Sequence, residues 1–369
     1  MMNDSVVIVG AGLSGLHAAS LLTKHGITYR ILEARERIGG RVLSIPEPDS
    51  PDAAPFDLGP TWFWPQYEKY IANLVEELNL QTFDQYSEGA MLVEQEQNSP
   101  PKRYTLPDNS SVISTRLTGG VQSLVEAIAN TLPPDVIELE KRVLTMQLDG
   151  SGAITLEAER TDGNKEKVSA SAVILALPPR IIEKHIAFSP SLPSVLMHDL
   201  RNKPTWMAGQ AKAIAIYEQP FWRESGLSGS VRSWVGPLQE IHDASPDTGP
   251  GALFGFFGIP ATVRQELSKD EILDLVTDQL VRLFGPSAKN TSSILYKDWA
   301  EESDTAVAED LAPLMNFPSY GPPPNTGIWE KKIFFAGTEV SSQYGGHLEG
   351  ALQSAKQAVT DIINRNLVK

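Results

Sequence analysis

The chain has 369 residues, of which 41% are hydrophobic and 21% charged, a composition typical of a globular protein large enough for two domains. The formal net charge of −15 argues against nucleic acid and anionic membranes as partners, because both require a basic face. The absence of cysteine excludes disulfides, thiolate chemistry and any cofactor link through sulfur. The sequence contains no run of about 18 apolar residues, so it predicts no membrane-spanning helix.

The chain opens with an apolar run at 5–10 that predicts a buried strand and is too short and β-branched for a signal peptide. We therefore expect a soluble protein of the cytoplasm. Apolar residues at helical spacing over 13–25, ended by Gly26, predict a helix, and 28–33 predicts a second strand. Strand, helix and strand within about 30 residues form a βαβ unit, which implies a parallel sheet.

The later elements follow the same logic. Helical spacing predicts helices over 67–80, 119–132, 269–285 and 347–366. Apolar or alternating runs predict strands over 136–148, 153–160, 171–180, 211–217, 251–259 and 331–337, with a hairpin turn at 162–165. The C-terminal segment has the same order of strand, glycine turn and helix as the N-terminal segment. The middle of the chain, 185–300, contains both predicted helices and predicted strands. The predicted fold is α/β, with a Rossmann-like βαβ domain on a parallel sheet and a second, α+β domain.

Three glycines follow the first strand at GxGxxG spacing. Gly10 permits a tight turn, Gly12 lets a phosphate approach the backbone, and Gly15 lets the helix lie close to the sheet. The helix N-terminus then offers unpaired N–H groups to a pyrophosphate. Glu33 ends the second strand, where its carboxylate can accept hydrogen bonds from a ribose. The full context favours a dinucleotide site over a glycine-rich turn that binds nothing.

A second glycine turn follows Glu33. Gly39 and Gly40 precede Arg41, whose planar guanidinium can hold two phosphate oxygens. A surface turn with a solvated arginine is the alternative. NAD-binding units do not need this second turn.

The segments VVIVGAGLSGLHAA and LEARERIGGR resemble the N-terminus of the flavin-containing amine oxidases, FAD enzymes related to monoamine oxidase. The likeness continues, in family order, in DLGPTWFWP, LTGGVQSL, ILALPPR, AKAIAIYEQPFW, YKDW and FFAGTEVSSQYGGHLEGALQSA. The resemblance implies an FAD-binding domain made of 1–60, 111–180 and 325–369, and a substrate-binding domain made of 61–110 and 181–324. Because the chain has no cysteine, FAD would be noncovalent.

The resemblance also implies cofactor contacts. Glu33 would hold the adenosine ribose, and Arg41 with the first glycine turn would hold the pyrophosphate. Val143 would clamp adenine through its backbone, and Thr338 and Glu339 would approach the central phosphate and ribityl chain. Further contacts are expected within the matching motifs, at Ser14, Ala34, Arg35, Gly40, Gly59, Pro60, Thr61, Gly337, Gly346 and His347.

The turn before the last predicted helix has a role of its own. Gly345 and Gly346 precede that helix, and its N-terminus would stabilise negative charge on the flavin pyrimidine ring. The backbone N–H of Leu348 is the candidate donor. Ordinary helix entry is the alternative.

Lys212 is the leading candidate for a catalytic residue. It lies in the apolar run QAKAIAIY, on the side of Ile214 and Ile216, where a lysine is costly unless it has a function. It matches the family lysine that holds a water at flavin N5 and assists oxygen reduction; an edge-strand lysine that reaches solvent is the alternative. Trp299 matches a family tryptophan beside this lysine, and Trp62 matches an aromatic position near the substrate. Plain core packing is the alternative for both.

The substrate side departs from the family. Monoamine oxidases hold the amine between two tyrosines, and here His347 stands in place of one of them. Ala308 and Glu309 stand where the covalently linked cysteine and the other tyrosine would come. His347 and Glu309 fit a polar, diamine-like or non-amine substrate, and His347 is either a base or a hydrogen-bonded spacer.

The resemblance implies oxidation of an amine to an imine by hydride transfer to flavin N5, with oxygen as acceptor and hydrogen peroxide as product. The expected partners are thus a small amine and molecular oxygen, and no metal site is expected. Two alternatives stay open. One is an FAD-dependent desaturase or dehydrogenase of the carotenoid or porphyrinogen oxidase type. The other is a flavin-binding protein without amine oxidase activity.

Overall fold

The computed structural model describes residues 5–105, 112–314, 316–324 and 326–365. Its strands are β1 Val6–Val9, β2 Tyr29–Leu32, β3 Ser44–Ile45, β4 Phe56–Asp57, β5 Thr82–Asp84, β6 Ala90–Glu94, β7 Lys102–Tyr104, β8 Thr115–Leu117, β9 Ile137–Glu138, β10 Lys141–Leu148, β11 Ile154–Arg160, β12 Lys165–Ala170, β13 Ala172–Leu175, β14 Ala187–Ser189, β15 Ala211–Tyr217, β16 Leu227–Ser233, β17 Leu238–Asp243, β18 Gly251–Phe257, β19 Ser293–Asp298 and β20 Ile333–Phe335. Its α-helices are α1 Leu13–Lys24, α2 Lys69–Glu77, α3 Gln122–Asn130, α4 Pro179–His185, α5 Ser194–Asn202, α6 Phe221–Glu224, α7 Ala261–Arg264, α8 Lys269–Phe284 and α9 Leu348–Asn364.

A five-stranded sheet in the order β20–β13–β1–β2–β9 has every neighbouring pair parallel. Both of its faces are covered, so the four residues of β1 are all buried. Val6 and Ile8 pack against α1, α3 and α9. Val7 and Val9 face the opposite way, against a four-stranded sheet in the order β12–β11–β10–β14 and against α5. The continuous apolar run at the N-terminus is therefore explained by burial on both sides.

A seven-stranded sheet in the order β19–β15–β18–β17–β16–β6–β7 forms the second large layer. Its strand β15 is buried throughout, and its two faces meet different neighbours. The alanines of β15 pack toward α8. Ile214 and Ile216, on the side of Lys212, pack instead with Phe56 and Leu58. The seven-stranded sheet therefore packs, through the Lys212 side of β15, against the segment that contains Phe56 and Leu58.

The predicted fold class is confirmed, and the predicted βαβ unit corresponds to β1, α1 and β2. One predicted strand, 136–148, divides at Glu140, whose φ of 57° lies in the left-handed region. Its two parts enter different sheets: β9 pairs with β2, and β10 pairs with β11. The alternating pattern of 136–148 runs on without a break, so it cannot show that the chain changes its partner strand at Glu140. For this reason the sequence predicted one strand.

The domain boundaries remain a proposal, and packing favours a change at one of them. Leu192, Leu196 and Leu200 belong to the same core as Val7 and Leu175 of the parallel sheet. We therefore propose that the first domain continues through α5 instead of ending at residue 180. The predicted boundaries at 1, 111 and 325, and the predicted helix end at 366, fall outside the described residues.

The close contact between α1 and β1 predicts a cost for any side chain at Gly15. A Cβ there would lie 2.0 Å from the Gly10 carbonyl oxygen. We expect Gly15→Ala to lower the free energy of unfolding by about 1–3 kcal/mol, because the helix must move away from the strand. Chemical denaturation measures this, with Gly150→Ala as the control, since nothing lies within 4 Å of its Cβ. Equal midpoints for both variants would contradict the packing argument.

Candidate active site

The carboxyl ends of the parallel strands meet the lysine-bearing face of β15 at a cavity of about 390 Å³. Most of the predicted site residues line it. They are Gly10, Gly12, Ser14, Glu33, Arg35, Gly40, Arg41, Gly59, Pro60, Thr61, Trp62, Lys212, Trp299, Gly337, Thr338, Gly346, His347 and Leu348. The structure thus brings together motifs from both ends and the middle of the chain.

Gly12 forms an opening in the cavity wall. It is the N-cap of α1, and no side chain caps that helix end. A Cβ at Gly12 would meet no atom closer than 3.8 Å, whereas one at Gly10 would lie 2.6 Å from a backbone oxygen of Ala176. Gly10 is therefore needed for the fold, and Gly12 leaves space for a ligand beside free helix N–H groups.

Glu33 lies at the end of β2 and is 4% exposed. One carboxylate oxygen accepts a hydrogen bond from the Ala11 N–H at 2.7 Å, and the other accepts from the Arg35 N–H at 3.0 Å. The Arg35 side chain donates to Glu302 at 3.3 Å and to Thr305 at 2.7 Å, and its Nη1 lies 3.8 Å from a Glu33 carboxylate oxygen. The backbone therefore fixes the Glu33 carboxylate at the cavity wall.

Arg41 has a partner that the sequence did not reveal. Its two terminal nitrogens donate to the carboxylate of Glu339 at 2.6 and 2.9 Å, and one also donates to the Trp206 carbonyl at 2.9 Å. Glu339 is fully buried and does not line the cavity. The fork predicted for phosphate oxygens is thus occupied by a protein carboxylate, and Glu339 stands behind Arg41. A buried carboxylate without such a partner would be costly.

The turn before α9 presents a second helix N-terminus to the cavity. No side chain caps α9, which begins at Leu348. Gly346 has a φ of 86°, and a Cβ there would lie 3.0 Å from the ring of Trp206. Thr338 donates its hydroxyl hydrogen bond to the His347 carbonyl at 2.8 Å, which ties the turn to the end of β20.

Lys212 is buried, as the sequence predicted, with 2% of its surface exposed. Its Nζ donates to the Thr61 hydroxyl at 2.6 Å and to the Gly59 carbonyl at 3.1 Å, and lies 4.0 Å from the centre of the Phe254 ring. Burial lowers the pKa of Lys212 to about 7, with Asp57 opposing the shift and Arg116 adding to it. The amine is therefore able to change charge near neutral pH.

Aromatic side chains from distant segments line the cavity together with Lys212. Trp299 donates its indole N–H to the Leu58 carbonyl at 3.0 Å. Trp62 packs against Phe254, at 5.5 Å between ring centres. Two further tryptophans that the sequence analysis left unassigned, Trp64 and Trp206, also line the cavity. Trp64 lies in the same family motif as Trp62, DLGPTWFWP, and that motif could have indicated it. No motif near Trp206 indicates a place in the site.

His347 contacts an acidic residue that sequence reasoning missed. Its Nδ1 lies 2.8 Å from a carboxylate oxygen of Glu68, and its ring centre lies 5.6 Å from that of Trp64. Glu68 is 2% exposed and its other oxygen accepts from the Trp64 N–H at 2.7 Å. Glu68 belongs to no recognised motif. It lies just before α2 and is 279 positions from His347 in the sequence, so nothing in the sequence indicated their contact.

Some predicted site residues lie away from the cavity wall. Gly15 packs against β1, and Ala34 follows Glu33 without lining the cavity. Val143 is buried in β10 beside an irregularity in its pairing with β11. Glu309 lies at the surface, where it pairs with Lys184 at 3.0 Å, so the structure does not bring it to His347. Its motif alignment had placed it in the substrate site, but the turn there directs it outward.

Comparison with known proteins agrees with this geometry. A model of the flavin containing amine oxidoreductase family matches residues 102–363, and a model of the NAD(P)-binding Rossmann-like domain matches residues 8–78. The chain belongs to the flavin containing amine oxidoreductases. The predicted family is thereby confirmed, and the chain is an FAD-dependent oxidoreductase of amine oxidase type.

Individual relatives of this amine oxidoreductase are similar over nearly their full length. Putrescine oxidase of Kocuria rosea is 25% identical, with 97% of this chain and 95% of the relative covered. A probable flavin-containing monoamine oxidase A of Dictyostelium discoideum is 25% identical, with 98% of both chains covered. A solved putrescine oxidase bound to putrescine is 25% identical, with a TM-score of 0.81 and coverage of 98% and 99%. The first alignment runs over 475 positions, so parts of that relative have no counterpart in this shorter chain.

Within the described residues, no helix is long and apolar enough to cross a membrane.

The open space at Gly12 predicts separate effects on folding and on cofactor binding. We expect Gly12→Val to lower the free energy of unfolding of the flavin-free protein by no more than about 1 kcal/mol, because a Cβ there meets no atom closer than 3.8 Å and valine is merely a poorer N-cap residue than glycine. The same change should lower flavin content at least tenfold, which absorbance at 450 nm of purified protein measures. Loss of stability without loss of flavin would contradict the placement of Gly12 at the cofactor.

Proposed function

We propose that this chain binds FAD noncovalently and oxidises a small amine to an imine, with oxygen as electron acceptor and hydrogen peroxide as product. The observation that carries the proposal is the buried Lys212, which lines the same cavity as two helix N-termini that no side chain caps. When bound, FAD supplies the two-electron redox chemistry. The protein supplies binding, orientation, exclusion of water and control of protons.

The cavity walls fit a flavin dinucleotide. The N-terminus of α1 at Gly12 suits a pyrophosphate, and the backbone-held carboxylate of Glu33 suits ribose hydroxyls. The N-terminus of α9 at Leu348 would place a backbone N–H and a positive partial charge at the ring system. Attachment is expected to be noncovalent because the chain has no cysteine.

Lys212 would hold a water or a proton at the reacting face. Its hydrogen bonds to Thr61 and Gly59 fix the amine, and the Phe254 ring attracts its charged form. A charge here would assist the transfer of electrons to oxygen. Because Lys212 titrates near neutral pH, this assistance depends on pH.

The substrate side supports a polar amine. Trp62 and Trp64 offer ring faces, and the His347–Glu68 pair adds a buried negative charge where the family places a tyrosine. Aromatic faces and carboxylates both stabilise a substrate cation. The relatives named putrescine oxidase and monoamine oxidase are consistent with this class of substrate.

The proposal is tested by mixing the flavin-loaded protein anaerobically with mono- and diamines and following the loss of absorbance near 450 nm. Bleaching by an amine, with peroxide formed when oxygen is readmitted, supports it. Bleaching only by cyclic or unsaturated substrates without an amine, or no bleaching by any compound, would overturn it.

Replacement of Lys212 tests its role directly. We expect Lys212→Met to slow amine turnover or flavin reoxidation at least tenfold, a barrier of about 1.4 kcal/mol, since it removes the proton and the charge. Stopped-flow absorbance separates the two half-reactions, and Lys289→Met, at the exposed surface, is the control. Unchanged rate constants would remove Lys212 from the mechanism.

The pKa of Lys212 adds a pH signature. Burial lowers this pKa to about 7, so the charged form prevails below that pH and is lost as the pH rises through it. We expect the wild-type rate constant for flavin reoxidation to fall between about pH 6 and pH 8, and that of Lys212→Met to stay flat. A wild-type profile that is flat over this range would contradict the assignment of the charge to Lys212.

A further inference from the structure

The contact between His347 and Glu68 has the arrangement of a histidine–carboxylate pair. Glu68 uses both oxygens, one toward Nδ1 of His347 at 2.8 Å and the other toward the Trp64 N–H at 2.7 Å. With Nδ1 engaged, Nε2 is the ring nitrogen left to exchange a proton with a ligand. A carboxylate in this position fixes the tautomer of the ring and stabilises the imidazolium when it forms.

The pair is held rigidly from both sides. Glu349, in the first turn of α9, accepts hydrogen bonds from the backbone N–H groups of Tyr70 and Ile71 at 3.1 and 2.9 Å. Glu68 precedes α2 and reaches back to His347, which precedes α9. Each helix start therefore receives a side chain from the other, and the imidazole is oriented before any ligand arrives.

His347 belongs to the walls of two cavities. It lines the main cavity together with Trp64 and Lys212. It also lines a second cavity, with Tyr320 and Tyr344, on the other side of the turn before α9. About a third of its side chain, 34%, is exposed. His347 is therefore shared by the walls of both cavities and is partly open to solvent.

An amine substrate needs such a group. An alkylammonium resembles a lysine side chain, with a pKa near 10.4, so fewer than about one molecule in 500 is neutral at pH 7.5. Oxidation at the α-carbon requires the nitrogen lone pair, which the ammonium form does not have. The protein must therefore either select the rare neutral amine or remove a proton after binding.

We propose that the His347–Glu68 pair removes the proton from the bound ammonium. The N–H bond of the ammonium breaks, its electron pair stays on the substrate nitrogen, and the proton forms a bond to His347 Nε2. Glu68 stabilises the resulting imidazolium, and the proton then leaves toward the second cavity. Glu68 acts as the positioning residue in this step. The inference rests on the proposed oxidation of amines.

Other titratable groups share these surroundings. Tyr344 lies nearest on the same turn, at 6.2 Å between ring centres. Glu349 on α9 is committed to the α2 backbone. The remaining titratable side chains that line the two cavities are Glu33, Arg35, Arg41, Lys212, Asp304 and Tyr320. Because burial lowers the pKa of Lys212 to about 7, pH profiles are measured also in the Lys212→Met background.

The first experiment compares anaerobic flavin bleaching by putrescine across pH 6.5 to 10. We expect His347→Phe to bleach about 100-fold more slowly than the wild type at pH 7.5. The deficit should shrink about tenfold per pH unit as solution supplies neutral amine. Glu68→Gln loses the charge and, with one acceptor oxygen, can accept from only one of the Trp64 N–H and the His347 Nδ1–H. It should show a smaller deficit of about tenfold with the same recovery. His198→Phe, at the surface, is the matched control.

A second experiment reads the proton without turnover. Tert-butylamine has no α-hydrogen, so it binds without being oxidised. With 15N-labelled histidine at pH 8, the Nε2 signal of His347, assigned by its absence from His347→Phe, should move to the imidazolium position when tert-butylamine binds. Added imidazole should also restore bleaching in His347→Ala at least fivefold, an effect that a merely structural histidine would not show.

The outcomes separate the two proposals. If no amine bleaches the wild type, the proposed function fails. If amines bleach the wild type and His347→Phe equally at every pH, or if tert-butylamine leaves the Nε2 signal unmoved, the role of the pair is overturned while amine oxidation stands. If Glu68→Gln does not fold, His347→Phe, His347→Ala and the labelled wild type still decide the matter.

Discussion

The site depends on the hydrogen-bonded order of three parallel strands. Because β20 pairs with β13 and β13 pairs with β1, the first and last glycine turns end at the same edge of one sheet. The backbone N–H of Ala176 donates to Val9, and that of Ala336 donates to Leu175, which continues the register to the strand ends. Two helix N-termini from opposite ends of the chain are thereby directed at one cavity. The proposed cofactor contacts at Gly12 and at Leu348 follow from this arrangement.

Patterns within short stretches of sequence were sufficient to predict the secondary structure and the burial of residues in those stretches. The strand β1, the helix α1 and the acid at the end of β2 each follow from apolar spacing and glycine position within about 30 residues. The burial of Lys212 was also predictable, because both faces of its strand were apolar and the structure packs both. The elements and the burial whose determinants lie within one motif could therefore be predicted, whereas the roles of the site residues stay predictions.

Contacts between distant segments could not be predicted from one sequence. Glu68 has no distinguishing neighbours, and its contact with His347 exists only because α2 packs beside α9. The division of 136–148 into β9 and β10 likewise depends on competition between two sheets for one stretch of chain. Glu309 illustrates the converse: its motif position suggested a substrate contact, but the path of the backbone turns it toward Lys184.

The pairing of Arg41 with Glu339 has an evolutionary consequence. The two residues are 298 positions apart. Loss of Arg41 would leave the charge of the fully buried Glu339 without its partner, and loss of Glu339 would leave the partly buried Arg41 without its carboxylate. Single substitutions at either position should therefore be purged, while simultaneous replacement by an apolar pair of similar volume should be tolerated by the fold. Proteins that descend from this chain are expected to keep both residues or to replace both. Positions 41 and 339 should therefore change together in evolution.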